Sequence, residues 1–135
     1  MRITPERRPP FKAAPGLVIR IEAIHPSLNL WRSWKKRDYM FAAKSWKYRV
    51  LASLPRGAVP FTVPVDVVVE YHFAANTRHD PDNYTPKFVM DGLVGHVLED
   101  DDFDHVRSLL TRRGADSRQP YMLLYVTPCA DGDST

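Results

Sequence analysis

Apolar side chains occupy every second position of residues 63–73, VPVDVVVEYHF. They are Val63, Val65, Val67, Val69, Tyr71 and Phe73. Because successive side chains of a β-strand point to opposite faces, this spacing predicts a strand with one face in the core. We expect the rest of the chain to be arranged around this strand.

A helix is predicted on the N-terminal side of this strand, from Trp31 to Leu54. The stretch contains no Pro or Gly, and apolar side chains recur in it at spacings of three and four residues, which places them on one face of a helix. They are Tyr39, Ala43, Trp46, Val50 and Leu54. Pro55 and Gly57 are expected to end the helix. The apolar segment Leu17–Ala23 predicts a strand before it.

A second helix and two more strands are predicted on the C-terminal side. Thr85 followed by Pro86 predicts a helix start, with the Thr85 hydroxyl as its cap and Pro86 at its first position. Gly95 is expected to end this helix. The apolar segments Val106–Arg113 and Tyr121–Thr127 are joined by a polar connection, which predicts a β-hairpin.

This order of elements predicts the α+β class, with two main helices packed on a mixed β-sheet. A length of 135 residues suits one domain. We expect the domain to span residues 17–127. A basic, proline-rich arm precedes it at residues 1–16, and a flexible tail is expected at residues 128–135.

The charged residues are unevenly distributed, although the net charge is only +3. Residues 1–60 contain thirteen Lys/Arg and three Asp/Glu, whereas residues 61–135 contain six and thirteen. A basic surface binds polyanions by releasing their counterions, so we expect a DNA partner. The alternative is solvated surface without a partner. The candidate DNA-binding side chains are Lys35, Lys36, Arg37, Lys44, Lys47 and Arg78.

Cysteine content and hydropathy indicate the compartment. Cys129 is the only cysteine, which excludes an internal disulfide and a multi-cysteine metal site. No apolar run approaches ~18 residues, and the first residues lack the apolar core of a signal peptide. We therefore expect a cytoplasmic protein with no membrane partner.

Two carboxylates stand two residues apart in the segment RHDPDN, residues 78–83. In an extended loop such side chains point the same way, so Asp80 and Asp82 could face one ion. Mg²⁺ takes one or two protein carboxylates and completes its octahedron with water and phosphate oxygens. The alternative is a turn or a helix N-terminus, where Asp and Asn are favoured by local hydrogen bonds to the backbone.

Three consecutive acids follow the second predicted helix, at Asp100, Asp101 and Asp102. A helix of about ten residues could carry the chain away and return these carboxylates near Asp80 and Asp82. Three consecutive acids are costly unless they are solvated or bind metal. The sequence therefore predicts a magnesium site directed at a phosphodiester.

The ordered set of residues from 80 to 106 resembles the RusA-type Holliday-junction resolvases that are common in phages and prophages. The resemblance is carried by Asp80-Pro81-Asp82-Asn83, Lys87, Met90-Asp91-Gly92-Leu93-Val94, Leu98, the acidic run and Val106. It covers residues 60–127 well and the N-terminal strand and basic helix more loosely. It implies a small homodimeric, Mg²⁺-dependent endonuclease that resolves four-way DNA junctions by paired symmetric nicks in a bacterial cytoplasm.

The resemblance also implies the metal ligands. Asp80, Asp82 and one acid of the later run are expected to bind Mg²⁺. Asp102 lies eleven residues after Asp91, as the family spacing implies, and Asp101 is the alternative. Such carboxylate-held Mg²⁺ would activate a water and neutralise the charge that builds on the phosphate, without a Ser, Cys or His nucleophile.

Other roles implied by the resemblance are supporting ones. Lys87 would stabilise the charge that develops on the scissile phosphate. It follows Asp82 by five residues, where the family has four. Asn83 and Asp91 would hold the metal-binding residues in place without binding metal themselves.

The sequence is also compatible with two other functions. A phage DNA-binding regulator could keep the same fold without cutting DNA, although a pure binder has no need of acids beside phosphates. A metal-dependent phosphatase of small nucleotides would not need so extended a basic half.

The sequence leaves two surfaces to be located. Apolar positions on the last hairpin and the second helix are the expected homodimer contact. Trp31, Trp34 and Phe103 are candidates for stacking on unpaired bases, and core packing is the alternative for them.

Overall fold

The computed structural model of the protein describes residues 16–75 and 77–129. Four strands form one mixed sheet in the order β1-β4-β2-β3. The strands are β1 (Leu17–Ile21), β2 (Val65–His72), β3 (Val106–Arg113) and β4 (Tyr121–Pro128). The helices are α1 (Leu28–Trp31), α2 (Lys36–Ser53) and α3 (Lys87–Leu93). The predicted α+β class with a mixed sheet is confirmed.

β2 is the strand predicted from residues 63–73, and it lies inside the sheet between β3 and β4. Its side chains at Val65, Val67 and Val69 are fully buried, as the alternation predicts. β2 pairs in parallel with β3 and antiparallel with β4. The strand begins two residues later than predicted, since Pro64 has no N–H to donate to a sheet.

The predicted hairpin of the last two strands is wrong. β3 and β4 lie on opposite sides of β2. The connection between them crosses the end of β2, where the Gly114 N–H donates to the Tyr71 carbonyl and the Ser117 N–H donates to the Phe73 carbonyl, both at 2.8 Å. Because these bonds satisfy the backbone of the connection as it crosses, β4 can enter the sheet between β1 and β2.

The helix predicted from Trp31 to Leu54 is shorter in the structure, because α2 covers only Lys36–Ser53 and Trp31 is the last residue of the separate helix α1. Lys35 separates the two helices in an extended conformation, with ψ 157°. Beside this break the rings of Trp31 and Trp34 lie 5.9 and 6.4 Å from the ring of Phe88 on α3. The predicted apolar stripe is confirmed, because all five of its side chains lie in the core or pack against it.

α3 begins at Lys87, directly after Pro86 in the N-cap position. No side chain caps it, so the predicted Thr85 cap is wrong. The helix ends before Gly95, whose φ of +89° is a left-handed conformation that favours glycine. Five of its seven residues are buried, which leaves Lys87 and Asp91 as its accessible side chains.

The helices cover one face of the sheet, and no described helix covers the opposite face, which we call the open face. Residues paired across all four strands form an apolar row on the open face. The row consists of Val18, Tyr125, Val68 and Leu110. Val18 and Leu110 are more than half exposed, at 58% and 51%. No helix in the described part of the chain is both long and apolar enough to cross a membrane.

The described residues extend slightly past both predicted domain boundaries. The predicted arm lies outside them except for Gly16, and so does the predicted tail beyond Cys129. Pro128 belongs to β4, and Cys129 is buried with its N–H donating to the Pro64 carbonyl at 2.9 Å. The folded domain therefore continues two residues beyond the predicted boundary at residue 127.

Candidate functional site

The acidic turn, which we define as residues 80–83, follows β2. Asp80 has an extended backbone, and Pro81–Asn83 form a single 3-10 turn in which the Asn83 N–H donates to the Asp80 carbonyl at 3.0 Å. The segment is therefore a turn rather than the extended loop predicted. Asp80 and Asp82 are both exposed, and no side chain caps the turn.

Two predicted site residues hold the acidic turn in place. The Asn83 Oδ1 accepts the backbone N–H of Asn29 at 2.8 Å, which fastens the turn to the start of α1. The Nε of Arg78 donates to the Asp80 carboxylate at 3.3 Å, and the Arg78 side chain is 89% exposed. Arg78 thus remains accessible to a polyanion while it contacts the turn.

A cluster of aromatic rings anchors the acidic turn to the sheet. His79 stacks on Phe73 with 3.7 Å between ring centroids, and its Nδ1 lies 2.8 Å from the Tyr84 hydroxyl. Beneath them, the Nε2 of buried His25 lies 2.6 Å from the Tyr71 hydroxyl. Burial lowers the pKa of His25 and raises the pKa of Tyr71 and of Tyr84, so all three groups are neutral near pH 7.

A cleft of about 550 Å³ lies between the start of α3 and the acidic run. Its charged lining consists of Lys87, Asp91, Asp101 and Asp102. Apolar lining is contributed by Phe103, which is 91% exposed at the rim, and by β3. The Lys87 Nζ lies 4.0 Å from the Asp91 Oδ2 one turn further along α3. The structure therefore brings four predicted site residues to one cleft.

Asp101 and Asp102 have different surroundings in this cleft. The pKa of Asp101 is raised by burial, and further by the charge of Asp91 and by a hydrogen bond with Asp100. The pKa of Asp102 is lowered by the hydrogen bond from His105, whose Nδ1 lies 2.5 Å from the Asp102 Oδ1. Asp102 already has a donor, whereas Asp101 is near a second carboxylate. This difference favours Asp101 as a ligand.

Asp80 lines a second, smaller cavity of about 70 Å³, together with the aromatic cluster, Arg112 and Arg113. Asp82 is not among the lining residues of either cavity. In residues 16–75 and 77–129, no three Asp, Glu, His or Cys side chains are grouped so that they could hold a metal ion. The predicted ligands Asp80, Asp82 and Asp102 are therefore not assembled within this part of one chain.

The donor chemistry of the larger cleft nevertheless suits Mg²⁺. This ion needs only one or two protein carboxylates, because water and phosphate oxygens complete its coordination. Asp91 and Asp101 interact electrostatically, so a cation between them would relieve their repulsion. Asp91 is thus a candidate ligand and not only a supporting residue. Its distance from Asp101 depends on the length of α3, which the sequence did not define.

Two arginines beside the acidic turn were not predicted as site residues. Arg112 pairs with Glu70 at 2.8 Å, and Arg113 pairs with Asp116 at 3.0 Å. Both line the cavity that contains Asp80. Two adjacent arginines at the end of a predicted strand are the sequence signal that could have identified them.

The basic surface of α2 is exposed, and it includes most of the predicted DNA-binding residues. They are Lys35, Lys36, Arg37, Lys44 and Lys47. None of the five forms an ion pair with a described residue. Their charge is therefore available to a polyanion. Trp31 and Trp34, the predicted stacking residues on this side, pack against the core instead.

Comparison of the chain with protein-family models gives no match, and comparison with curated proteins gives no significant match.

Proposed function

We propose that the protein is a Mg²⁺-dependent endonuclease of branched DNA, which resolves four-way junctions as a homodimer in the cytoplasm. The observation that carries the proposal is the cleft lined by Lys87, Asp91 and Asp101, in a domain whose α2 carries exposed cations that form no ion pair with a described residue. The resemblance to RusA-type resolvases supports the choice of substrate. Acidic oxygen donors beside a basic surface suit metal-assisted cleavage of a phosphodiester.

Each part of the site has a distinct role in this proposal. Bound Mg²⁺ would neutralise phosphate charge and lower the pKa of the attacking water. Asp91 and Asp101 supply carboxylates in the cleft, whereas Asp80 and Asp82 lie outside it on the acidic turn. The ammonium group of Lys87 stabilises the negative charge that develops on the phosphate oxygens. The basic surface of α2 holds the DNA backbone.

A non-cleaving DNA-binding regulator is the second candidate. The observation that favours it is the separation of Asp80 from the larger cleft, since a regulator needs no assembled group of ligands. An acid-lined cleft, however, repels phosphate unless a cation is present. The two candidates differ in whether DNA is cut.

The first prediction tests cleavage with labelled four-way junctions and linear duplexes, in Mg²⁺ and in chelator. The parent protein should nick junctions only in Mg²⁺. Asp91→Asn and Asp101→Asn should each reduce cleavage at least about 100-fold, because each removes a carboxylate that lines the cleft. Junction binding should stay equal or become tighter, since a negative charge near phosphate is lost. Asp102→Asn should have the smaller effect.

The matched control is Asp104→Asn, which makes the same change in charge at an exposed acid of the same loop. It should cleave like the parent. Parent-like cleavage by Asp101→Asn would refute the assignment of the cleft. Tight junction binding without cleavage by the parent protein would establish the regulator instead.

A further inference from the structure

The outer crest of α2 carries a line of alternating cations and rings, which we call the α2 stripe. It consists of Arg37, Phe41, Lys44 and Tyr48. Their spacings of four, three and four residues place them on one line along a helix, on the side opposite the buried Trp46. Phe41 is 74% exposed and Tyr48 is 63% exposed.

The two rings of the stripe take no part in the ring packing of the core, although Phe41 lines a surface cavity with Trp34 and Trp46. Within residues 16–75 and 77–129, neither Phe41 nor Tyr48 contacts another ring or lies under a cation. By contrast, Tyr39 on the inner side of the same helix packs against two rings. Phe41 and Tyr48 are seven residues apart, or about 10 Å along the helix axis. Each ring is therefore largely exposed to solvent beside a cation of the stripe.

The cations of the stripe are also without partners among the described residues. Arg37 and Lys44 are exposed and make no ion pair there. The one acid of α2, Asp38, is in the first turn and lines the same surface cavity as Phe41. The stripe is therefore complementary in charge to a polyanion.

We propose that the α2 stripe binds unpaired bases of single-stranded DNA, with Phe41 and Tyr48 stacking on bases and Arg37 and Lys44 contacting phosphates. Stacking on aromatic side chains within a basic groove is the general way in which proteins hold single strands without reading sequence. The inference rests on the proposed function in one respect, because the single strands that α2 would bind are those that open at the branch point of a junction. Single-strand binding itself needs neither metal nor cleavage.

Two other occupants fit the stripe less well. A helix that lies on a lipid surface separates its apolar side from its basic side, and here rings and cations alternate along one line. The inner apolar side of α2 is already used by the core. A second copy of the chain would bring the cations of two identical stripes together, which repel each other.

The second prediction is measured by fluorescence anisotropy of a labelled oligo(dT) strand, in chelator, with the full chain. Phe41→Ala and Tyr48→Ala should each weaken binding roughly 5- to 100-fold, which corresponds to the loss of one stacked base. Phe41→Trp should retain the affinity, whereas Phe41→Leu should lose it, because only the indole keeps a π-face. The matched control is Val59→Ala, which truncates an apolar side chain that is 73% exposed outside the stripe.

The salt dependence separates the two kinds of contact. Lys44→Gln should make the fall of affinity with salt shallower, since fewer counterions are released, and Phe41→Ala should leave that slope unchanged. Circular dichroism should show parent-like folding of these exposed variants.

Three results would overturn the assignment. The first is parent-like affinity of the Phe41→Ala/Tyr48→Ala double variant for oligo(dT). The second is a dimer of the parent protein that light scattering shows to be lost in this double variant. The third is binding of the stripe to vesicles of anionic phospholipid in preference to oligo(dT). If oligo(dT) binding depends on the stripe but the protein does not cut junctions, the proposed endonuclease activity is refuted. The proposed single-strand binding by the stripe is then still supported.

Discussion

At the scale of single residues, His25 links the core to the acidic turn. It is 2% exposed, its Nδ1 lies 2.9 Å from the Pro26 carbonyl, and its Nε2 lies 2.6 Å from the Tyr71 hydroxyl. The ring of Tyr71 in turn contacts the ring of Tyr84, directly after the acidic turn. The position of the carboxylates therefore depends on a neutral, buried imidazole.

The third prediction concerns the pH dependence of stability. Burial lowers the pKa of His25 in the folded chain, while the unfolded chain takes up a proton near the ordinary value of about 6.5. The unfolded state therefore binds more protons below about pH 6.5, and this part of the stability decreases as the pH falls. Tyr71 and Tyr84, which face His25, stay neutral throughout that window.

His25→Gln should be less stable than the parent by about 1–3 kcal/mol near neutral pH, because it disturbs a buried hydrogen bond. The free energy of unfolding by urea should differ less between parent and variant as the pH is lowered from about 7.5 to about 5.5. Only the parent loses the contribution of His25 over this range. A difference that stays constant across this range would contradict the account. Subtracting the free energy of unfolding of the variant from that of the parent cancels the contribution of the other histidines, which both proteins contain.

Residue types in the site were predictable, but their partners were not. Asp80, Asp82 and the acidic run are conspicuous in the sequence because few other roles require so many neighbouring carboxylates. The sequence did not show that His105 hydrogen-bonds to Asp102 or that the charge of Asp91 acts on Asp101. The second of these interactions depends on where α3 ends, which is a property of the fold.

At the scale of elements, the closest approach in the helical layer lies between α2 and α3. Gly92 of α3 faces Val50 of α2, and a Cβ added at Gly92 would lie 2.9 Å from the Val50 Cγ2. Val50 is fully buried and cannot move into solvent. Gly92 therefore sets the distance between the helix that carries Lys87 and the helix that carries the basic surface.

The fourth prediction is that Gly92→Ala destabilises the protein by about 1–3 kcal/mol, because it overpacks this contact. The double variant Gly92→Ala/Val50→Ala should recover part of this loss relative to Val50→Ala alone, since the truncated side chain makes room for the new methyl group. Thermal or urea unfolding of all four proteins gives the coupling energy. Purely additive effects would show that the two helices do not meet at this point.

Periodicity predicted elements better than it predicted their arrangement. β2 and the core stripe of α2 follow directly from spacings of two and of three and four residues. The hairpin was wrong because β3 and β4 are separated by a connection long enough to cross β2, and its backbone bonds to β2 were not visible in the sequence. The break between α1 and α2 lies beside the ring packing of Trp31 and Trp34 on Phe88, a tertiary contact that local propensity does not encode.

At the scale of the whole molecule, the acidic and basic regions lie on different elements of one small domain. In the described part of the chain, α2 carries five Lys or Arg side chains and one acid, whereas the acidic turn and the loop before β3 carry seven acids and no Lys or Arg. α3 has no apolar side chain left for the predicted homodimer contact, because all of them are buried. Leu110 of β3, which is 51% exposed on the open face, remains for it, because Leu109 lines the cleft.

The fifth prediction is that the active unit is a two-fold homodimer, since a four-way junction presents two equivalent strands for cutting. Mixed dimers of parent and Asp101→Asn subunits should nick a junction on one strand only. Light scattering should show a dimer for the parent and a larger monomer fraction for Leu110→Asp, which places a charge on β3. A monomer at working concentration, with both strands cut by the mixtures, would exclude this arrangement.

β4 is the last strand along the described chain, yet it lies inside the sheet between β1 and β2. Its partner β1 is at the other end of the described chain, where Leu17 pairs with Val126. During synthesis, β1 and β2 therefore lack the strand that pairs with both of them until Tyr121–Pro128 has left the ribosome. Strand pairs that are distant in sequence form slowly, and unpaired strand edges are prone to aggregation until they form. A nascent chain that stalls before Tyr121 thus exposes the surfaces by which chaperones and proteases recognise unfinished proteins.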